Sequence, residues 1–175
     1  MEVAVEFEEY VRARGAALVR FAHLLTGDRR LAEDLTQEAL ARAYVRWRHI
    51  VRNDAPDEYV RRCVINARAS WWRRRSNRER PAEVETGGGG YESVAGPEAR
   101  AAERDALWRE IIRLPRQQRA VVVLRYYEDL DDARIAKILN CSAVTVRTHA
   151  MRALAALRSA VAEPDRALAR DRRAS

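Results

Sequence analysis

Apolar residues recur along this chain at helical spacing almost from the first turn. Phe7, Val11, Leu18, Phe21 and Leu25 lie three, four or seven apart and mark the inner stripe of a first helix. Thr26-Gly27 interrupts the pattern, and Asp28 is placed to cap a second helix, in which Leu31, Leu35, Ala39, Ala43 and Trp47 recur every fourth residue. Asp34, Gln37, Glu38 and Ala41 fall on an adjacent face that is polar or small throughout. A third helix opens near Pro56, where proline in a first turn loses no hydrogen bond. Val60, Val64, Ala67 and Trp71 form its buried stripe.

After a stretch rich in Gly and Pro the pattern resumes, with Leu107, Trp108, Ile111 and Ile112 on one helix that Leu114-Pro115 ends. The next runs through Val121, Val122 and Leu124 to Tyr127. The three valines from Val121 would suit a strand, but Arg-Gln-Gln-Arg precedes them and no partner strand exists, so they are assigned to helix. No alternating segment of useful length occurs anywhere, and the expected fold class is all-α.

Residues 131–158 have the form of a helix-turn-helix. Ile135, Ala136 and Leu139 pack the first helix. Asn140-Cys141 makes the turn, Asn being one of the few non-glycine residues that tolerate a left-handed conformation. Ser142 caps the second helix. There Val146, Ala150, Ala153 and Leu157 define the buried side, while Thr145, Thr148, His149 and Arg152 share another that presents donors and acceptors suited to base edges and phosphates. Arg147, near the helix start at the margin of that face, is placed for a phosphate.

Four glycines from Gly87 to Gly90, with Pro81 and Pro97, mark a flexible linker. The expected organisation is two small helical domains, 1–77 and 98–163, joined by a linker over 78–97 and followed by a disordered tail over 164–175. With 175 residues, two such domains have only modest cores.

Charge changes the picture next. Thirty-three Lys plus Arg against 26 Asp plus Glu leave +7, which suits an anionic partner. Between Arg61 and Arg80 stand eight arginines and one acid, Glu79. With 34% charged residues and no apolar run long enough, a transmembrane helix and membrane insertion are not expected. The acidic start, Met1 to Glu9, lacks the basic n-region of a signal peptide, which points to the cytoplasm. Cys63 and Cys141 stand alone, without a Cys/His cluster, so buried thiols are expected and a metal is not.

No hydrolase, zincin or phosphate-loop motif occurs. Asp34 and Glu38 lack a His or third acid at suitable spacing, so a partner-binding face is favoured over acid–base chemistry, and neither enzyme nor cofactor is expected. Trp71-Trp72 beside Arg73-Arg74-Arg75 resembles a stacking platform with a phosphate clamp. The preferred assignment has Trp71 continuing the buried stripe and only Trp72 facing out.

Residues 25–47, 56–69 and 114–158 together resemble the characteristic regions of extracytoplasmic-function (group 4) sigma factors of bacterial RNA polymerase, nearest the SigE-like branch. The resemblance spans nearly the whole chain outside linker and tail. It implies a sigma-2 domain joined to a sigma-4 domain, with core RNA polymerase, promoter DNA and, as a further candidate partner, an anti-sigma factor. By position, the block Asp34, Leu35, Thr36, Gln37 and Glu38, with Ala41, is similar to the surface that binds the β′ clamp helices, and the β flap is the other expected contact.

Tyr59, Arg61, Arg62, Asn66, Arg68, Arg73 and Arg74 fall in the region that reads the minus-ten element. The loop expected over 49–55 would flank a flipped-out base. The strand-melting Trp pair of primary sigma factors has its counterpart at Tyr59-Val60, not at Trp71-Trp72. Arg125, Ser142, Thr145, Arg147, Thr148, His149 and Arg152 fall in the minus-thirty-five reader. This chain departs from the family at Asn140 and Val144, both often glycine. A polymerase-independent helix-turn-helix regulator is the alternative reading, and it would need a dimerisation helix that is not evident.

Overall fold

The computed structural model describes residues 2–52, 56–78 and 98–171. The linker expected over 78–97 lies outside the described residues except for its first. All described secondary structure is helical. Helix α1 (Glu2–Thr26) ends at Gly27, whose φ of 74° turns the chain back with Gly27 N–H donating to His23 O at 2.8 Å. Helix α2 (Arg29–Val45) then starts on the Asp28 cap, a carboxylate oxygen accepting from Leu31 N–H at 3.0 Å.

The expected loop over 49–55 is corrected. Trp47–Arg52 form a short helix, α3, because Trp47 and Ile50, one turn apart, are both buried; 53–55 lie outside the described residues. Trp47 accordingly belongs to α3 and not to the end of α2, after a break at Arg46. Its ring meets Phe7 edge-on at 5.0 Å and Tyr10 at 4.8 Å. Helix α4 (Pro56–Arg78) is tied to α1 at its first turn, where Asp57 accepts from the Tyr10 hydroxyl at 3.0 Å and from Arg14 at 2.7 Å. Burial, chiefly, and then the Asp57 charge hold the Tyr10 phenol well above its ordinary pKa.

In the second half, α5 (Glu98–Arg113) leads through buried Leu114 and Pro115 into α6 (Arg116–Val122), which widens into a π-helical turn over Val123–Tyr127. The valines are helical, as expected. Helix α7 (Asp132–Leu139) is capped by Asp131, and Asn140 adopts the left-handed conformation at φ 52°, ψ 52°. Ser142 Oγ accepts from Thr145 N–H at 3.0 Å to start α8 (Ala143–Asp171). Of the tail expected to be disordered over 164–175, residues up to Asp171 continue α8, and 172–175 lie outside the described residues.

The two halves share a large part of their core. Leu18, Phe21 and Leu25 of α1 and Val60 and Val64 of α4 form one buried cluster with Val121, Leu124, Ile135 and Val146 of the second half. Leu114, Val122 and Ala153, with Leu157, form a smaller one. Laying these stripes together removes apolar surface of both halves from water.

Arg119 fastens this junction. Buried to 9% exposure, it donates from Nη1 to Leu25 O at the end of α1 at 2.8 Å, and from Nη2 to Ile112 O and Leu114 O. One guanidinium thus satisfies carbonyls left open at two helix ends. Replacing it in Arg119→Met should cost about 2–4 kcal/mol, because carbonyls stay buried without donors, and denaturant unfolding would read the loss. At Gly27 a Cβ would stand 3.0 Å from Ile112 Cδ1 and on a positive φ. Gly27→Ala should therefore lower stability by about 1–2 kcal/mol in the same measurement.

Candidate nucleic-acid interface

The helix-turn-helix builds its outer face around an acid. Asp132, in the first turn of α7, pairs with Arg125 from the π-helical turn and lies 3.8 Å from Arg147 of α8. It holds both guanidiniums at the edge of α8. Val146, Ala150 and Ala153 are buried as expected. Opposite them the helix is open: the Arg147 side chain is 60% exposed and Arg152 is exposed, while Thr145, Thr148 and His149 are half-buried. The Ser142 and Thr145 hydroxyls bond each other at 2.9 Å, and the Thr148 hydroxyl donates back to Val144 O at 3.0 Å. Ser142 thus serves as a cap, with its hydroxyl already engaged.

Sequence reasoning missed the middle of this face. Val144 and Met151 are 63% and 66% exposed. A wheel centred on Val146 and Ala150 puts Val144, Thr148 and Met151 at the opposite pole, so the signal was present; searching for polar groups passed over it.

On α4, Asn66, Arg73 and Arg74 face outward. Arg74 Nη2 stands 3.8 Å from Glu38 of α2. The other residues of that expected set are covered. Tyr59 packs against the core, and Arg62 is half-buried. Arg61 pairs with Glu128 of the second half, and Arg68 is only 5% exposed with no hydrogen-bond partner for its Nε. Burial, with Arg119 and Arg116 nearby, pulls the Arg68 pKa down to about 9. Trp72 is not free: Arg116 sits 4.7 Å over its ring, while Trp71, half-buried, meets it edge-on at 5.3 Å.

Along α2 the expected block divides. Asp34, Gln37 and Ala41 are exposed and Glu38 is half-buried, paired with Arg42 at 2.5 Å. Leu35 and Thr36 are core, 2% and 1% exposed, so Leu35 supports the face from beneath instead of touching a partner. Beside the exposed residues runs a groove of about 410 Å³, lined by Phe7, Val11, Gln37, Leu40, Ala41 and Tyr44. Tyr44 is 50% exposed.

Both cysteines are free, and burial raises their pKa values, so neither is an activated thiol. Among the described residues no group of three His, Cys, Asp or Glu could hold a metal, and no helix is long and apolar enough to cross a membrane.

A capped, left-handed turn between two packed helices, with arginines along the open side of the second, defines a helix-turn-helix DNA-binding protein whose N-terminal half is a further helical unit. Residues 10–78 match Sigma-70 region 2 and residues 104–157 match Sigma-70, region 4. Over 180 residues the chain is 41% identical to the RNA polymerase sigma-E factor of Streptomyces coelicolor, covering 99% of this chain and 97% of that one. It is 42% identical to the sigma-E factor of Streptomyces avermitilis over 173 residues, 97% and 94% of the two chains. The sigma factor RpoE of Bartonella quintana, solved in complex with the anti-sigma factor NepR, shares the fold, with a TM-score of 0.73 at 19% identity over 89% of this chain and 96% of that one.

The chain belongs to the sigma-70 family of RNA polymerase sigma factors, in its extracytoplasmic-function class. Members of that family are initiation factors and not enzymes.

Arg147 and Arg152 flank the open face of α8 on either side. Arg147→Ala and Arg152→Ala should each weaken binding to a minus-thirty-five duplex by about 1–3 kcal/mol. Fluorescence anisotropy against salt separates the roles: a phosphate contact lowers the salt slope by about one, and a base contact loses sequence preference instead.

Proposed function

We propose that this chain docks on core RNA polymerase through the outer face of α2, Asp34, Gln37, Glu38 and Ala41, against the β′ clamp helices. The groove beside that face gives a docking helix apolar surface as well as hydrogen-bonding groups. The observation that carries the reading is the order of the two matches, region 2 ahead of region 4, with a polar face exposed on α2 and a basic one on α8. The β flap is the second contact, made by region 4.

In this reading α4 binds the unpaired minus-ten strand. Asn66 contacts a base and the exposed Arg73 and Arg74 hold phosphates, while Tyr59, Arg61, Arg62 and Arg68, covered in this fold, support the helix from beneath. Holding a displaced strand offsets lost stacking of about 1.4 kcal/mol per step, so opening needs no ATP. Region 4 reads the minus-thirty-five duplex through Arg125, Thr145, Arg147, Thr148, His149 and Arg152. The linker spans the distance between elements. The site of action is the cytoplasm, where polymerase works, and an anti-sigma factor is proposed as a further partner by analogy with the Bartonella protein's complex.

Transcription reconstituted from purified core enzyme, this chain and genomic fragments tests the reading. Specific start sites are expected, and their absence on every template would refute it. Asp34→Arg should cut capture of core polymerase at least tenfold in a pull-down while leaving the thermal midpoint within a few degrees of the parent, since Asp34 is exposed.

A further inference from the structure

The line of α8 that points furthest from the core is apolar, although it lies in the middle of a face flanked by charge. Val144, in the first turn, and Met151, two turns on, are 63% and 66% exposed, and exposed Ala155 continues the row. Thr148 stands between them and spends its hydroxyl proton on Val144 O at 3.0 Å. The nearby Ser142 and Thr145 hydroxyls bond each other at 2.9 Å. The pole of this helix therefore presents methyl and thioether groups to whatever it meets.

Single exposed apolar side chains are ordinary on a protein surface. These two are set apart by position, sharing one line opposite buried Val146 and Ala150. Arg147 and Arg152, both exposed, flank that line on either side, and from Ser142 to Ala160 the chain has three arginines and no acid. An apolar strip between cationic edges matches a groove with phosphate walls and an uncharged floor. The major groove, about 12 Å wide, admits a helix of this kind. On its floor the thymine 5-methyl is the group that an apolar side chain removes from water on contact. Val144 lies near the helix N-terminus, the end that reaches base edges in a helix-turn-helix. Seven residues of helix rise about 10 Å, so Val144 and Met151 span about three base-pair steps.

We propose that Val144 and Met151 are specificity-determining residues, which read thymine 5-methyl groups at two positions within about three base pairs of each other in the minus-thirty-five duplex. The flanking arginines supply the attraction, and the strip selects among the sequences they would hold equally well. A pyrimidine without the methyl leaves the strip in water. The inference rests on the assignment of α8 to that duplex.

Selection from a duplex pool with a randomised centre, run with the full chain, supplies a preferred site. Each thymine of that site is then replaced singly by deoxyuridine, which keeps the pairing and removes only the methyl. Fluorescence anisotropy should show about threefold weaker binding at two of these positions. Val144→Ala should abolish the loss at one of them and Met151→Ala the loss at the other, each keeping the remaining one. Such a cycle separates the contact from the general effect of either change.

A preferred site without thymine, or one at which deoxyuridine has no effect, would overturn the proposal and leave the assignment of α8 standing. Losses that persist unchanged in both variants would overturn it too, since the methyl would then act through duplex shape. A pool that yields no preferred site at all would sink the assignment of α8 to a promoter duplex, and this inference with it.

Discussion

The junction between the two halves depends on the reach of one side chain. Arg119 leaves α6 and donates to carbonyls at the ends of α1 and α5, one of them 94 residues away in sequence. Each of those carbonyls would otherwise be an open acceptor in a dry place. Around that tie, α1 and α4 lay their apolar stripes against Val121, Leu124 and Ile135. The cost is that guanidiniums crowd together: Arg119, like Arg68, is held below its ordinary pKa, to about 10, by burial and then by Arg116. Cohesion here comes from apolar contact and hydrogen bonds.

Local features were legible in the sequence for local reasons. The Asp28 cap, the Gly27 reversal, the left-handed Asn140 and the Ser142 cap each follow from the stereochemistry of a few adjacent residues, and all are found. The buried stripe of α8 was legible because four positions repeat at one period. The short helix from Trp47 was not. Six residues carry too little periodicity to be separated from loop, and only the packing of Trp47 on Phe7 and Tyr10 makes them helical.

The candidate site was half legible. Position along the family pattern picked out Asp34, Gln37, Asn66, Arg147 and Arg152, which are exposed, but also Leu35 and Arg68, which are not. Periodicity alone would have put Leu35 inside, since it lies on the stripe with Ala39 and Ala43. Arg68 is different: the charges acting on it, Arg119 and Arg116, come from a segment some fifty residues later. A run of arginines reads as a solvated face until the other half of the chain is laid over it.

Gly27 carries a consequence for anyone recombining these proteins. Its missing side chain is what lets Ile112 come so near, and Leu25, two residues before it, supplies the acceptor for Arg119. A hybrid that grafts a foreign C-terminal reader onto this N-terminal half inherits a socket cut for one isoleucine and one guanidinium. A grafted reader without that isoleucine and that arginine would leave the socket unfilled when the two parts fold together.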